Sequence, residues 1–432
     1  MRNRALSLLA AFTSVILFSN LVNYTSRGDQ YSESYPAVVC PPNQSGQGST
    51  ISLTSSKAQV RKTGIATLAF KNSRTTRLAG SSQALIIDAQ AVTPLTWQVR
   101  SGVWAGAVTC LAPASSQWFV GATADVTSKS TLTIVNSGLG RALVSVSVFS
   151  ESGLQTERNV AVKANSFTSF QLSSLAPGSK SIAVHILSQA GRVNAFLIDE
   201  RGRGLQALGG DTINSYEAAA KELVIPAIPQ QNRGGVSTPH TLRIFVPGEV
   251  NSTLQVEVKS TDGTFSPVGV DGRVIPAGKV VDLPLEITMK PGKFAVFIRS
   301  ERPAVASIFT KVVVDGKSDF IWSTPVPPLS KSTFASTGLT PLLTFAGDQI
   351  DIEVELTSLQ GKKRRVLVKG SEIATYQIPN RTRSFAFTKI GSESFGAALI
   401  SSRSGYGYAP LVPGSVLTRT SIPRSNIRVL IP

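Results

Sequence analysis

Apolar and polar positions alternate along most of this chain, in short stretches broken by Gly, Pro, Asn and Ser. In VSVSVFSESG, Val144, Val146 and Val148 share one face while Ser145, Ser147 and Phe149 share the other, which is the period-two signature of a half-buried strand. After Ala37 nearly every segment reads this way. The exception is YEAAAKEL (216–223), rich in strong helix formers, which predicts a helix of about two turns. The expectation is an all-β chain.

The strand pattern also recurs at long range. Leu132-x-Ile134, Gly138, Val144-x-Val146-x-Val148 and Gly153 reappear as Leu242-x-Ile244, Gly248, Leu254-x-Val256-x-Val258 and Gly263, and a third time as Leu342 to Gly347, Ile352-x-Val354-x-Leu356 and Gly361. Further on, SIAVHILS (181–188) aligns with KFAVFIRS (293–300) and with SFGAALIS (394–401). Between them lie NVAVKANSFTSFQL, RVIPAGKVVDLPL and RVLVKGSEIATYQI. Modules of about 100 residues with some seven short strands predict tandem immunoglobulin-like β-sandwich modules, with a barrel as the rival. They are placed at 118–220, 221–318 and 319–418, before a tail at 419–432. Residues 38–117 form an N-terminal β element holding both cysteines, read as a shortened copy although it does not align strand for strand. ERGRGLQALGGD (200–211) lacks the Gly-Lys-Ser/Thr of a phosphate loop and reads as a long connector.

The head of the chain differs. Arg2 and Arg4 precede the apolar run Ala5 to Phe18, the layout of a secretory signal. No A-x-A site follows, so residues 1–24 read as a signal peptide or a retained signal anchor, with 25–37 as linker. Export makes the two cysteines, Cys40 and Cys110, an expected disulfide.

Charge sharpens the picture. The chain carries a formal net charge of +17. Residues 38–117 hold 7 basic and 1 acidic residues, residues 358–432 hold 12 and 2, and 118–357 are balanced. Lys362, Lys363, Arg364 and Arg365 crowd a predicted hairpin tip, with Lys369, Arg381, Arg383 and Lys389 after it. These, Lys389 apart, are the candidate polyanion-binding residues. An anionic envelope polymer, lipid head groups or an acidic envelope protein are the expected partners. Nucleic acid is not expected, because aromatics are scarce among the cations.

Candidate chemistry is sparse. Two histidines, His185 and His240, and two cysteines leave little from which to build a zinc site or a nucleophilic triad, so no cofactor, no metal and no catalytic residue is expected. Asp348, Asp351, Glu353 and Glu355 cluster, but the last three alternate on one strand face and read as solvated. Trp118 and Trp322 each open a module in this reading. Trp97 and Trp104 are candidate glycan-stacking residues, although packing is the heavier reading for both.

VCPPN (39–43), WAGAVTCLAPASSQWFVGA (104–122) and SDFIWSTP (318–325) resemble a family of secreted actinobacterial proteins known as a domain of unknown function. The resemblance implies export, β-sandwich repeats and the Cys40–Cys110 pair, and it transfers no catalytic residue. The reading is a non-enzymatic, exported envelope scaffold or adaptor shaped as a rod of sandwiches with basic ends. A carbohydrate-binding array and an enzyme with a dispersed carboxylate site are the rivals.

Overall fold

The structure, a computed structural model, describes residues 31–55, 57–65, 68–233 and 236–421. The expected signal or anchor lies outside the described residues, as does the tail beyond 421. The chain forms two compact units. In one, β1 (Tyr31–Ser34) pairs antiparallel with Thr418–Ser421, named β34 by its place in the chain. The other, Tyr35–Val416, holds the remaining strands and, among the described residues, one 3₁₀ turn at Leu172–Ser174.

That unit is built from four repeats. Repeat I comprises β2 (Val38–Cys40), β3 (Gly48–Ser52), β4 (Gln59–Lys62), β5 (Lys71–Asn72), β6 (Arg77–Ala79), β7 (Leu85–Asp88), β8 (Val92–Arg100) and β9 (Trp104–Thr109). Repeat II comprises β10 (Ser116–Val120), β11 (Thr131–Asn136), β12 (Ala142–Ser150), β13 (Gly153–Val162), β14 (Ser166–Gln171), β15 (Ile182–Ala190), β16 (Asn194–Arg203) and β17 (Gln206–Ile213).

Repeat III opens with β18 (Ala220–Gln230), adds a small hairpin of β19 (Asn232–Arg233) and β20 (Val236–Ser237), and continues with β21 (His240–Phe245), β22 (Ser252–Ser260), β23 (Gly263–Phe265), a short extra β24 (Val274–Ile275) and β25 (Val280–Leu285). Its β26 (Gly292–Val314) is long enough to act as two consecutive strands before β27 (Lys317–Ser323). Repeat IV fuses strands in the same way, with β28 (Thr333–Ala335), β29 (Leu342–Ser358), β30 (Lys363–Gln377), β31 (Thr382–Ile390), β32 (Phe395–Ser402) and β33 (Gly405–Pro410).

When the strands of each repeat are counted from first to eighth, one pairing scheme recurs four times. One sheet runs 1-6-3-4 and the other 5-2-7-8. Repeat I gives β2-β7-β4-β5 and β6-β3-β8-β9; repeat II gives β10-β15-β12-β13 and β14-β11-β16-β17. Repeat III gives the same two sheets through the halves of β26, and repeat IV through the halves of β29 and β30. Each pair of sheets encloses an apolar core drawn from alternate positions of both. Val146, Val256 and Val354 are all buried on third strands, opposite Ile186, Ile298 and Phe387 of the sixth strands.

All-β sandwich packing is what the alternation predicted, but the strand order is not that of an immunoglobulin constant domain. There the first strand joins the second and the seventh joins the sixth; here the first joins the sixth and the seventh joins the second. Nor do the repeats lie end to end as a rod. Their eighth strands meet in a cycle, with β9 against β17, β17 against β27, β27 against β33 and β33 against β9. The cycle is closed further by a parallel pairing of β28 in repeat IV with β8 in repeat I. Residues 38–117, expected to be a shortened element, supply all eight strands of a full copy.

Four other expectations change. SFGAALIS lies on β32, a seventh strand that pairs with Leu342–Ala346. The partner of SIAVHILS in repeat IV is therefore β31, where Phe387 faces Val354. The boundary at 318/319 falls inside β27, whose pairing with β26 assigns it to repeat III; Trp322 accordingly closes that repeat instead of opening the next. ERGRGLQALGGD is the hairpin between β16 and β17 and not a connector. The helix expected at 216–223 is absent: Tyr216 bridges to Trp118, and Ala220 onward enters β18 against β26. Burial of Leu223, Val224 and Ile225 in that pairing overrides the helical preference of the Ala-rich stretch.

Candidate functional site

Where the eighth strands converge, backbones come close enough to require glycine. A Cβ on Gly407 would sit 2.5 Å from the amide nitrogen of Ala107, and one on Gly405 would sit 2.8 Å from Asp319 Oδ2. Around this contact lie four carboxylates, Asp199 and Glu200 on β16, Asp211 on β17 and Asp319 on β27, all buried. Three are well supplied with donors. Asp199 accepts from Ser130 Oγ, from Arg201 and, at 2.9 Å, from Trp322 Nε1. Glu200 accepts from Trp104 Nε1 at 3.1 Å and lies 3.1 Å from Arg100 Nε. Asp211 accepts the amides of Thr212 and Trp322. The Arg201 guanidinium stacks on Phe309 and Phe320 at 4.8 and 4.7 Å.

Asp319 is the exception. Its Oδ1 accepts the Gly210 amide at 3.0 Å, but its buried Oδ2 has no hydrogen-bond partner. Burial, opposed only in part by the Gly210 and Phe320 amides, raises its pKa to about 7. Burial likewise raises Asp211 well above the usual carboxylate range, with Asp319 and Asp199 adding repulsion. Beside Asp319 the turns of repeats I, III and IV leave a cavity of about 50 Å³ touched by Lys317 and Arg403, room for water.

The expected binding residues sit elsewhere. On the β29–β30 hairpin, Lys363 Nζ bonds Glu355 Oε1 at 2.6 Å, and Arg365 reaches Glu355 at 3.4 Å and Glu353 at 3.8 Å. Lys362, Arg364, Lys369 and Arg381 are exposed, and among the described residues none forms an ion pair. Arg383 is half-buried, with a buried Nε lacking a hydrogen-bond partner. Trp104, fully buried, offers no open ring face to a sugar, and Trp97 is half-buried against the core of repeat IV.

His185 stacks on Trp118 at 4.0 Å and meets Ser116 Oγ at 3.0 Å, while that hydroxyl also donates to the Glu217 carbonyl. Burial lowers the His185 pKa. His240 is buried between Thr310 Oγ1 and Gln230 Oε1, and burial lowers its pKa to about 4. Both histidines are engaged in packing between strands. Asp348 pairs with Lys259 of repeat III, whose Nζ also lies 3.3 Å from Glu372 and 4.7 Å from the Phe297 ring. Cys40 and Cys110 are bonded, with Cα atoms 4.8 Å apart, tying the first strand of repeat I to the residue after its eighth.

A larger opening lies between repeats I and II, where a groove of about 640 Å³ is lined mainly by hydroxyl and amide side chains. Its Ser, Thr and Gln residues were not singled out from the sequence, because those identities carry no spacing signal and only the packing of two repeats brings them together.

The fold thus defines a class, a four-repeat all-β sandwich protein with a buried acidic centre. A family described as "Family of unknown function (DUF5719)" matches residues 71–375, which take in repeats II and III whole and parts of I and IV. The chain belongs to that family. No curated protein matches it.

Proposed function

We propose that this is a non-enzymatic, exported scaffold or adaptor of the cell envelope, held to anionic surface material by cations of repeat IV. The observation that carries this reading is the β29–β30 turn. Glu353 and Glu355 balance Lys363 and Arg365, whereas Lys362 and Arg364 stand exposed beside them with no acidic partner among the described residues. Uncompensated cations held on a paired hairpin suit a phosphate- or carboxylate-bearing polymer, a lipid surface or an acidic protein. Export is supported by the basic-then-apolar head of the sequence and by the Cys40–Cys110 bond, which is of a kind that persists in oxidising compartments.

The pairing of Lys363 and Arg365 selects the test. Lys362→Glu with Arg364→Glu reverses the two unpaired charges and leaves the Glu353–Glu355 network intact. The double variant is expected to lose retention on isolated envelopes, wild-type retention to fall steeply with salt, and thermal stability to stay unchanged. Retention that survives both the reversal and high salt overturns the reading.

A further inference from the structure

We infer that the groove between repeats I and II is a binding site for a short oligosaccharide. The inference comes from comparing the same place in two successive interfaces. In repeat III the cross-strand pair Arg243–Asp282, on the second and fifth strands, spans the interface, and Arg243 bonds the carbonyls of Ala122 and Lys180 in repeat II. In repeat II the corresponding pair, again on the second and fifth strands, is Thr133–Ser169. Their hydroxyls bond each other at 2.9 Å, and among the described residues neither bonds repeat I. Where a long ion pair closes one interface, two short hydroxyl residues leave the other open by about 640 Å³, a volume within the range of small-molecule sites.

The chemistry of the walls selects the ligand. Thr133, Ser169 and Gln171 form a polar platform on β11 and β14, where Thr133 lies across from Ser169 and Thr131 across from Gln171. Phe167, 38% exposed, adds an aromatic ring at the end of that platform. From repeat I, Gln44 lines the opposite wall, and its buried Nε2 has no hydrogen-bond partner. Lys129 adds a cation that forms no ion pair among the described residues. Hydroxyl and amide groups that both donate and accept, together with an aromatic ring, match a polyol ring, which carries hydroxyls on its edge and C–H groups on its faces. The inference does not depend on the envelope-scaffold reading, because the groove lies in repeats I and II and the cations of that reading lie in repeat IV.

The test is calorimetric titration of the full chain with a panel of soluble oligosaccharides: cello-, xylo-, malto- and chito-oligosaccharides and an oligogalacturonate. At least one is expected to bind. Thr133→Arg with Ser169→Asp, which installs the pair that fills the next interface, is expected to weaken that binding at least tenfold. Phe167→Ala, an exposed change that leaves folding intact, is expected to weaken it about tenfold and serves alone if the double variant fails to fold. Lys129→Ala is expected to weaken the oligogalacturonate more than any neutral sugar. Absence of binding across the panel at millimolar concentration overturns the site, as does binding that neither groove variant alters.

Discussion

Arg243→Met tests what holds repeats II and III together. Methionine keeps the apolar stem of a side chain that is 6% exposed and removes its guanidinium. That group donates from Nε to Asp282 Oδ1 at 2.7 Å and from Nη2 to Asp282 Oδ2 at 2.8 Å, bonds the carbonyls of Ala122 and Lys180, and lies 5.0 Å from the Trp322 ring. Its loss takes away the bidentate partner of Asp282, which among the described residues keeps only the Ser181 hydroxyl as donor, and leaves unmet the buried Ala122 carbonyl and the part-buried one of Lys180. Removing one member of a buried pair costs about 3–5 kcal/mol. Because Asp282 is 33% exposed, water recovers part of this, and about 3 kcal/mol is expected. For a unit of this size that corresponds to a fall in Tm of roughly 4 °C. The pair also sets a pH dependence. Burial raises the Asp282 pKa, but hydrogen bonds and charge from Arg243 outweigh it and hold the carboxyl below its ordinary range. Its folded pKa therefore lies below its unfolded one, so its contribution is present above the unfolded carboxylate pKa and disappears as pH falls through the folded value. The assay is urea unfolding of Arg243→Met, Asp282→Asn and the double variant at pH 7. A coupling energy of about 1.5 kcal/mol or more is expected from the cycle. A single-variant loss under about 0.5 kcal/mol, or strict additivity, refutes the claim that this pair clamps the interface.

Asp319 has the opposite sign: its folded pKa of about 7 lies above its unfolded value, so the folded state loses stability as pH rises from about 4 to 7. Compared with Asp319→Asn, the wild-type protein is expected to lose about 2–4 kcal/mol across that window; parallel curves for the two proteins refute the assignment. Replacing Cys40 and Cys110 with Ser removes a bond across a sequence separation of 70 and is expected to cost roughly 4 kcal/mol, read by urea unfolding. A thiol assay on the denatured, unreduced protein should find no free thiol. Gly407→Ala forces a Cβ to within 2.5 Å of the Ala107 amide and is expected to lower Tm by several degrees; an unchanged Tm shows that β9 and β33 are not in close contact.

Much of the fold was legible where the alternation is strong. Val144, Val146 and Val148 and their counterparts at 254–258 declare their strands and their buried faces directly, and the export argument led to the disulfide that is present. Repeat I escaped detection for a physical reason. Its β5 and β6 are two and three residues long with every position exposed or half-buried, too short for a period to register. In repeat IV the sixth and seventh strands are both apolar and lie side by side in sequence, so a pattern match slips easily from one to the other, and only pairing with Val354 separates them. The acidic centre was invisible because Asp199, Asp211 and Asp319 are ordinary strand residues until ring closure removes them from water. The hairpin cations could be read as a cluster; that Glu353 and Glu355 neutralise half of them follows from the register of β29 with β30.

Four copies of one strand order raise the question of what fixes their sequence around the cycle. The apolar clusters between repeats mix small, branched and aromatic side chains, with Trp118, Phe149 and Phe245 packed together between II and III. The polar contacts differ at each junction. Arg61 of repeat I bonds Asn165 Oδ1 and the Ser137 carbonyl of repeat II. Arg243 joins II to III, and Lys259 of III meets Asp348 and Glu372 of IV. Between IV and I, beside the parallel β28–β8 pairing, the side-chain hydrogen bonds among the described residues come from hydroxyls: Ser52 donates to the Thr337 carbonyl, and Thr337 donates to that of Leu53. A cation that finds its acceptors only on the correct neighbour leaves a buried, unpaired charge on any other, at a cost of several kcal/mol. Head-to-tail interfaces close into rings when the rotation between copies permits. Here the rotation is supplied by the shared topology, and the order by four different sets of polar partners.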